Sequence, residues 1–154
     1  EQIHVYQRQY KEWFYHLYKT HWNFTNPSHI VHLDKVTNHR TNPDGLDIKW
    51  VYKKNILPIA IYQDQAKSLM DIDIVFLEIS NSSYFTGKIY QKNKEYTTFF
   101  GNQNHYHPNE LVALYFEYYF RKCNQLPLPM NHSHLPKAYH LLIQYLHSYY
   151  TSSF

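Results

Sequence analysis

The chain has 154 residues, 44% of them hydrophobic, which is enough for one domain with a real core and too few for two comfortable ones. Its formal charge of +3, with the 12 histidines counted neutral, is compatible with a nucleic-acid partner without specifying one. The single cysteine, Cys123, excludes an internal disulfide and a cysteine-rich zinc site, and no stretch approaches the ~20 consecutive apolar residues of a membrane span.

In chain order, residues 2–21 read as one amphipathic helix, with Tyr6, Tyr10, Trp13, Phe14, Leu17 and Tyr18 recurring at three- and four-residue steps. A turn follows at 23–27. Strands are expected at about 29–35 and 46–53, joined by a turn-rich segment holding Asn38, Asn42, Pro43, Asp44 and Gly45. Lys53, Lys54 and Asn55 make a break. The run from Ile56 to Ile61 is apolar, and 63–70 has helix-friendly composition. Asp73–Ile79 is rich in β-branched residues and reads as a strand. Strand 46–53, helix and strand 73–79 then form a crossover unit with its two strands parallel. A hairpin is expected from 84–90 and 96–100. Pro108 opens a helix to about 122, with Glu110 near its positive end. Pro136 opens a last one, striped by Ala138, Leu141, Leu142, Tyr145, Leu146 and Tyr149. Aromatics make up 19% of the chain, 17 of them tyrosine, a residue that packs its ring and keeps a polar tip.

The chemistry-bearing stretch is Asp47-Ile48-Lys49. On a strand, Asp47 and Lys49 share one face while Leu46, Ile48 and Trp50 point to the other. Asp34, thirteen positions upstream, is expected on the neighbouring strand, close enough for both carboxylates to bridge one ion. A hard cation, Mg²⁺ or Mn²⁺, takes carboxylate, carbonyl and water oxygens, so Asp34, Asp47 and the Ile48 carbonyl form the expected metal set. The ion would activate water, and Lys49 would stabilise the charge growing on a phosphodiester. Glu12 on the first helix is a further candidate ligand, and Gln65 a candidate contact to phosphate or water. The bland reading of the bare tripeptide is a solvated Asp/Lys pair on a half-exposed strand.

From the first helix to about Phe100 the order of elements resembles the PD-(D/E)XK nuclease superfamily. The resemblance rests on Glu12, Asp34, the run Leu46-Asp47-Ile48-Lys49-Trp50, the run from Pro58 to Gln65, the strand Asp71–Leu77 and the later Phe85–Tyr90. It implies an α/β domain over 1–154, with a mixed central sheet flanked by helices in the restriction-endonuclease-like manner. It also implies a Mg²⁺-dependent endonuclease acting on DNA, often as a homodimer. The family motif carries over onto Asp34, Asp47 and Lys49, with Glu12 and Gln65 beside them. Asp44 is the alternative upstream acid, although Pro43-Asp44 stands only three residues before Asp47. The absence of a membrane span and the cysteine usage together lead us to expect an intracellular protein, cytoplasmic or nuclear.

Four other features compete. His105-Tyr106-His107 has the His-apolar-His form of rolling-circle nucleases, with Tyr115, Tyr118 and Tyr119 downstream, but Pro108 begins a helix at once where those enzymes continue a strand. His132 and His134, with His140, are candidate ligands for a transition metal. Lys53, Lys54, Lys88, Lys92 and Lys94, with Tyr90 and Tyr96, form a candidate basic aromatic surface for a nucleic-acid backbone. Finally, His107-Pro108-Asn109 after a helix and a sheet is similar to ubiquitin-conjugating-type folds, the autophagy conjugating enzymes among them. Their catalytic cysteine should follow closely, yet Cys123 falls late in the next helix. The alternative function is therefore a non-catalytic or conjugating-enzyme-like protein-interaction domain.

Overall fold

The hydrophobic pattern resolves into a sheet with two unlike faces. The computed structural model describes residues 2–41, 48–81, 83–101, 105–128 and 134–151. Their order is α1 (Gln2–Gln9), α2 (Lys11–His16), a π-turn (Leu17–His21), β1 (Phe24–Thr25), β2 (Val51–Tyr52), β3 (Ile56–Tyr62), β4 (Ile72–Ser80), β5 (Tyr84–Tyr90), α3 (Lys94–Phe100), α4 (Pro108–Cys123) and α5 (Lys137–Thr151). The five strands lie in sequence order and every named pair is antiparallel.

The expected mixed sheet with a parallel crossover is therefore corrected to a meander. The apolar run from Ile56 is itself a strand, running from Ile56 opposite Glu78 to Tyr62 opposite Ile72. The segment expected to be a helix, 63–70, is the turn joining β3 to β4. It carries no buried stripe, Leu69 and Met70 are exposed, and Gln65 sits at φ +67°. The Asp71 carboxylate accepts the backbone N–H groups of Lys67 and Ser68 at 2.8 and 2.9 Å, satisfying amides that a helix would have paired. These bonds hold the Asp71 carboxyl below its usual range.

The first expected strand is also corrected. His32 adopts φ +63°, and Leu33–Lys35 forms a short 3₁₀ turn, leaving only single bridges from Val31 to Tyr84 and from His39 to Ile61. The second half of the expected hairpin, 96–100, is α3, capped by Asn93, whose side chain accepts the Tyr96 N–H at 2.9 Å. The single N-terminal helix breaks at Tyr10 and ends in the π-turn, marked by the Trp22 N–H reaching the Leu17 carbonyl at 3.2 Å.

Alternation along the strands sorts the core. On one face, Tyr52, Phe76, Trp50 and Phe24 meet residues of all five α-helices in a largely aromatic cluster. Trp22 stands inside it, stacked on Tyr18 at 5.6 Å and edge-on to Phe100 and Tyr115 at 5.5 and 5.8 Å. Such pairs add about 0.5–1.5 kcal/mol each to the burial of the rings. Several buried polar tips have partners. The Trp22 indole N–H donates to the Ala138 carbonyl, the Tyr115 hydroxyl to that of Phe100 and the Tyr96 hydroxyl to that of Tyr106. On the other face, Val51, Leu57, Ile59, Val75, Leu77, Ile79 and Phe85 pack with Ile30, Val36 and Leu33. An irregular segment covers this face, where helices on both faces were expected.

The β2–β3 connection places Lys53 at φ +47° and Lys54 at φ +72°, closed by the Asn55 N–H on the Tyr52 carbonyl. Asn-Gly is the relaxed choice for such a turn. Lysine at both positions costs on the order of 1–3 kcal/mol per residue. In β5, Thr86, Gly87 and Lys88 bulge against Glu78, whose carboxylate takes the Thr86 and Tyr90 hydroxyls and the Lys88 amine.

Candidate functional site

The best-built polar site is the corner where α4 begins. Pro108 occupies the first turn, where its missing N–H costs nothing. His107 precedes it as the cap. Its Nδ1 accepts the Asn109 N–H at 3.2 Å, which leaves Nε2 to donate to the Ile48 carbonyl at 3.2 Å, the tautomer of a neutral ring. Asn109 points inward. Its Oδ1 accepts the Tyr18 hydroxyl at 2.9 Å and its backbone carbonyl accepts Gln7 Nε2 at 3.0 Å. Gln7 also reaches the Tyr18 hydroxyl, and its Oε1 bonds to His4 Nδ1 at 2.9 Å. Gln7, His107 and Asn109 are all buried. The corner thus ties α1, the π-turn and the segment before β2 to the first turn of α4. Burial pushes the Tyr18 hydroxyl well above its ordinary range, so it stays a neutral donor.

Of the residues expected to form a metal-dependent hydrolase, Glu12, Asp34, Lys49 and Gln65 fall within the described residues, each on a different segment. Glu12 is exposed on α2, in the helical layer. Asp34 is exposed on the 3₁₀ turn, whose Leu33 packs on the opposite face of the sheet. Gln65 is exposed at the tip of the β3–β4 turn. The Ile48 carbonyl, expected to ligate the ion, accepts the His107 ring. Lys49 is half-buried beside Arg40, Tyr106 and His107 in a small cleft. Asp47 and its alternative Asp44 lie outside the described residues. Among the described residues, no group of three or more histidines, cysteines or acids is placed to hold a metal ion.

The other features sort as follows. His107 is spent as a helix cap, and Tyr115 and Tyr118 are core residues, so the rolling-circle arrangement is not assembled. His132 lies outside the described residues, while His134 and His140 are exposed along the groove between the end of α4 and the start of α5. The basic aromatic surface divides: Tyr96 is buried and Lys88 is held by Glu78, whereas Lys53 and Lys94 stay exposed on one groove. Cys123 is exposed at the far end of α4, fourteen residues beyond Asn109 and about 21 Å along the helix.

Sequence reasoning missed Gln7. A signal was present: Ile3, Gln7, Phe14 and Tyr18 share one helical face, and a polar residue on such a stripe needs a buried partner.

No family model, curated protein or solved structure matches this chain. Among the described residues no helix is long and apolar enough to cross a membrane.

Proposed function

We propose that the chain is a conjugating-enzyme-like protein-interaction domain that binds a ubiquitin-like protein, or a component of its conjugation machinery, without forming a thioester. One observation carries this reading: His107-Pro108-Asn109 follows an N-terminal helix and an antiparallel meander, and opens the first of two long helices. That is the layout the tripeptide resembled. Against a catalytic role, Asn109 is engaged by Tyr18, and the only thiol stands at the opposite end of α4. The nuclease reading has less support, because Glu12 and Asp34 sit on opposite sides of the sheet and the parallel crossover gives way to a meander.

The test is a titration of isotope-labelled protein with ubiquitin and a panel of ubiquitin-like proteins. Saturable chemical-shift changes confined to one surface are expected for at least one of them. Cys123→Ser should bind as well as the wild type. A reductant-sensitive adduct on Cys123, formed with an activating enzyme and ATP, would instead make the chain a conjugating enzyme. Plasmid nicking in Mg²⁺ or Mn²⁺ that Lys49→Ala abolishes would restore the nuclease.

A further inference from the structure

The helical layer carries a second polar region, and its charges face solvent. A shallow groove runs between Asn23, the strained Lys53–Lys54 turn, α3 and the start of α5, lined by Tyr52, Lys53, Lys94, Glu95, Thr98, Phe99 and Lys137. Three lysines meet one glutamate there. Lys53 pairs with Glu95 and lies over the Tyr52 ring at 5.8 Å. Neither Lys94 nor Lys137 has an acidic partner among the described residues. The first turn of α5 holds no acid, so the positive end of that helix adds to the same field. Phe99 supplies a half-buried apolar patch among the charges.

We infer that this groove receives an acidic segment of a partner protein, its carboxylates on Lys94 and Lys137 and one apolar side chain on Phe99. The inference takes from the interaction-domain reading only that the occupant is a protein. Two lysines in left-handed conformations, where an Asn-Gly turn would relax, hold the Lys53 amine at the groove edge at a conformational cost, a pattern typical of binding sites. A nucleic-acid strand fits less well. The run of lysines does not continue along β5, where Glu78 holds Lys88. Tyr96, the ring that would have stacked a base, is buried.

The probe is a short fluorescein-labelled peptide of glutamates around one central leucine, measured by anisotropy on the full chain. Controls replace the glutamates by glutamine, or the leucine by alanine. A single-stranded oligonucleotide of similar length competes. Binding should be saturable, weaken with salt, and fall by about tenfold or more in the Lys94→Glu/Lys137→Glu double variant. The glutamine peptide should not bind, and the alanine peptide should bind less tightly than the leucine one. Equal binding by the double variant, or equal binding of the glutamine peptide, overturns the proposal. So does an oligonucleotide that binds more tightly than the peptide and is released by the same charge reversal. If the peptide binds while every ubiquitin-like protein fails to, the groove stands and the proposed function falls. If a ubiquitin-like protein binds the wild type and the double variant alike while the peptide never binds, the reverse holds.

Discussion

The His107-Pro108-Asn109 corner and the Lys53–Lys94–Lys137 groove belong to the same helical layer and use their polar groups in opposite ways. At the corner, Gln7, Tyr18, His107 and Asn109 turn inward and are spent on one another and on the backbone. At the groove, lysines stand exposed, two of them on a strained turn and two with no acidic partner among the described residues. The difference separates a joint from a surface. A buried polar group without its partner costs about 1–3 kcal/mol, so a network like the corner persists because it holds elements together. Exposed lysines contribute little to folding, and their value lies in what they attract.

Breaking what the two regions share should have the largest effect. Trp22 packs on Tyr18 at the corner side and bonds to Ala138 at the start of α5. Trp22→Ala should cost about 3–5 kcal/mol by urea unfolding, enough to lose both regions together. The next effect belongs to the corner alone. Asn109→Ala removes the acceptor of the Tyr18 hydroxyl and should cost about 1–3 kcal/mol, with peptide binding at the groove retained.

Acid should sharpen the contrast. His21 is held below its ordinary value of 6.5 by burial, with the His16 charge second, and His105 is lowered by burial. The unfolded chain therefore binds more protons than the folded one below pH 6.5. The stability from these rings is complete above that value and declines as the pH falls through and below it. Urea midpoints measured across this range should fall on the acid side, and His21→Gln should flatten part of the slope. Groove binding rests on lysines and on carboxylates ionised above about pH 5, so the peptide affinity should stay level where stability declines. The smallest effect on folding is expected from the groove itself: Lys94→Glu/Lys137→Glu should move stability by no more than about 0.5 kcal/mol.

Much of the helical layer was legible. Pro108 and Pro136 located the long helices to within a residue or two, and the β-branched and apolar residues of Asp73–Ile79 located β4. The sheet order was not, because the composition of 63–70 suggested a helix between two parallel strands. What decided that segment was Asp71, a side chain taking the amides of Lys67 and Ser68, and that contact leaves no periodic trace. The run from Tyr96 to Phe100 read as a strand because aromatics favour sheets, although Asn93 with Glu95 just after it marks the start of a helix. The tripeptide was visible at once. Its partners Gln7 and Tyr18 lie about a hundred residues away, and only the fold brings them to Asn109. The hydrolase set needs a hairpin joining 29–35 to 46–53. His32 at φ +63° ends the first of those strands, and Asp47 falls outside the described residues.

Whether the corner is a joint is tested most directly by a double-mutant cycle across Tyr18 and Asn109. Tyr18→Phe, Asn109→Ala and the pair would be unfolded in urea on otherwise unchanged protein. Each single change strands a buried partner, while the pair removes both. If the corner is a joint, the double variant loses less than the sum of the singles, with a coupling of about 1 kcal/mol or more. Additivity within about 0.3 kcal/mol, with both singles near wild-type stability, would contradict it and free Asn109 for a role at the surface.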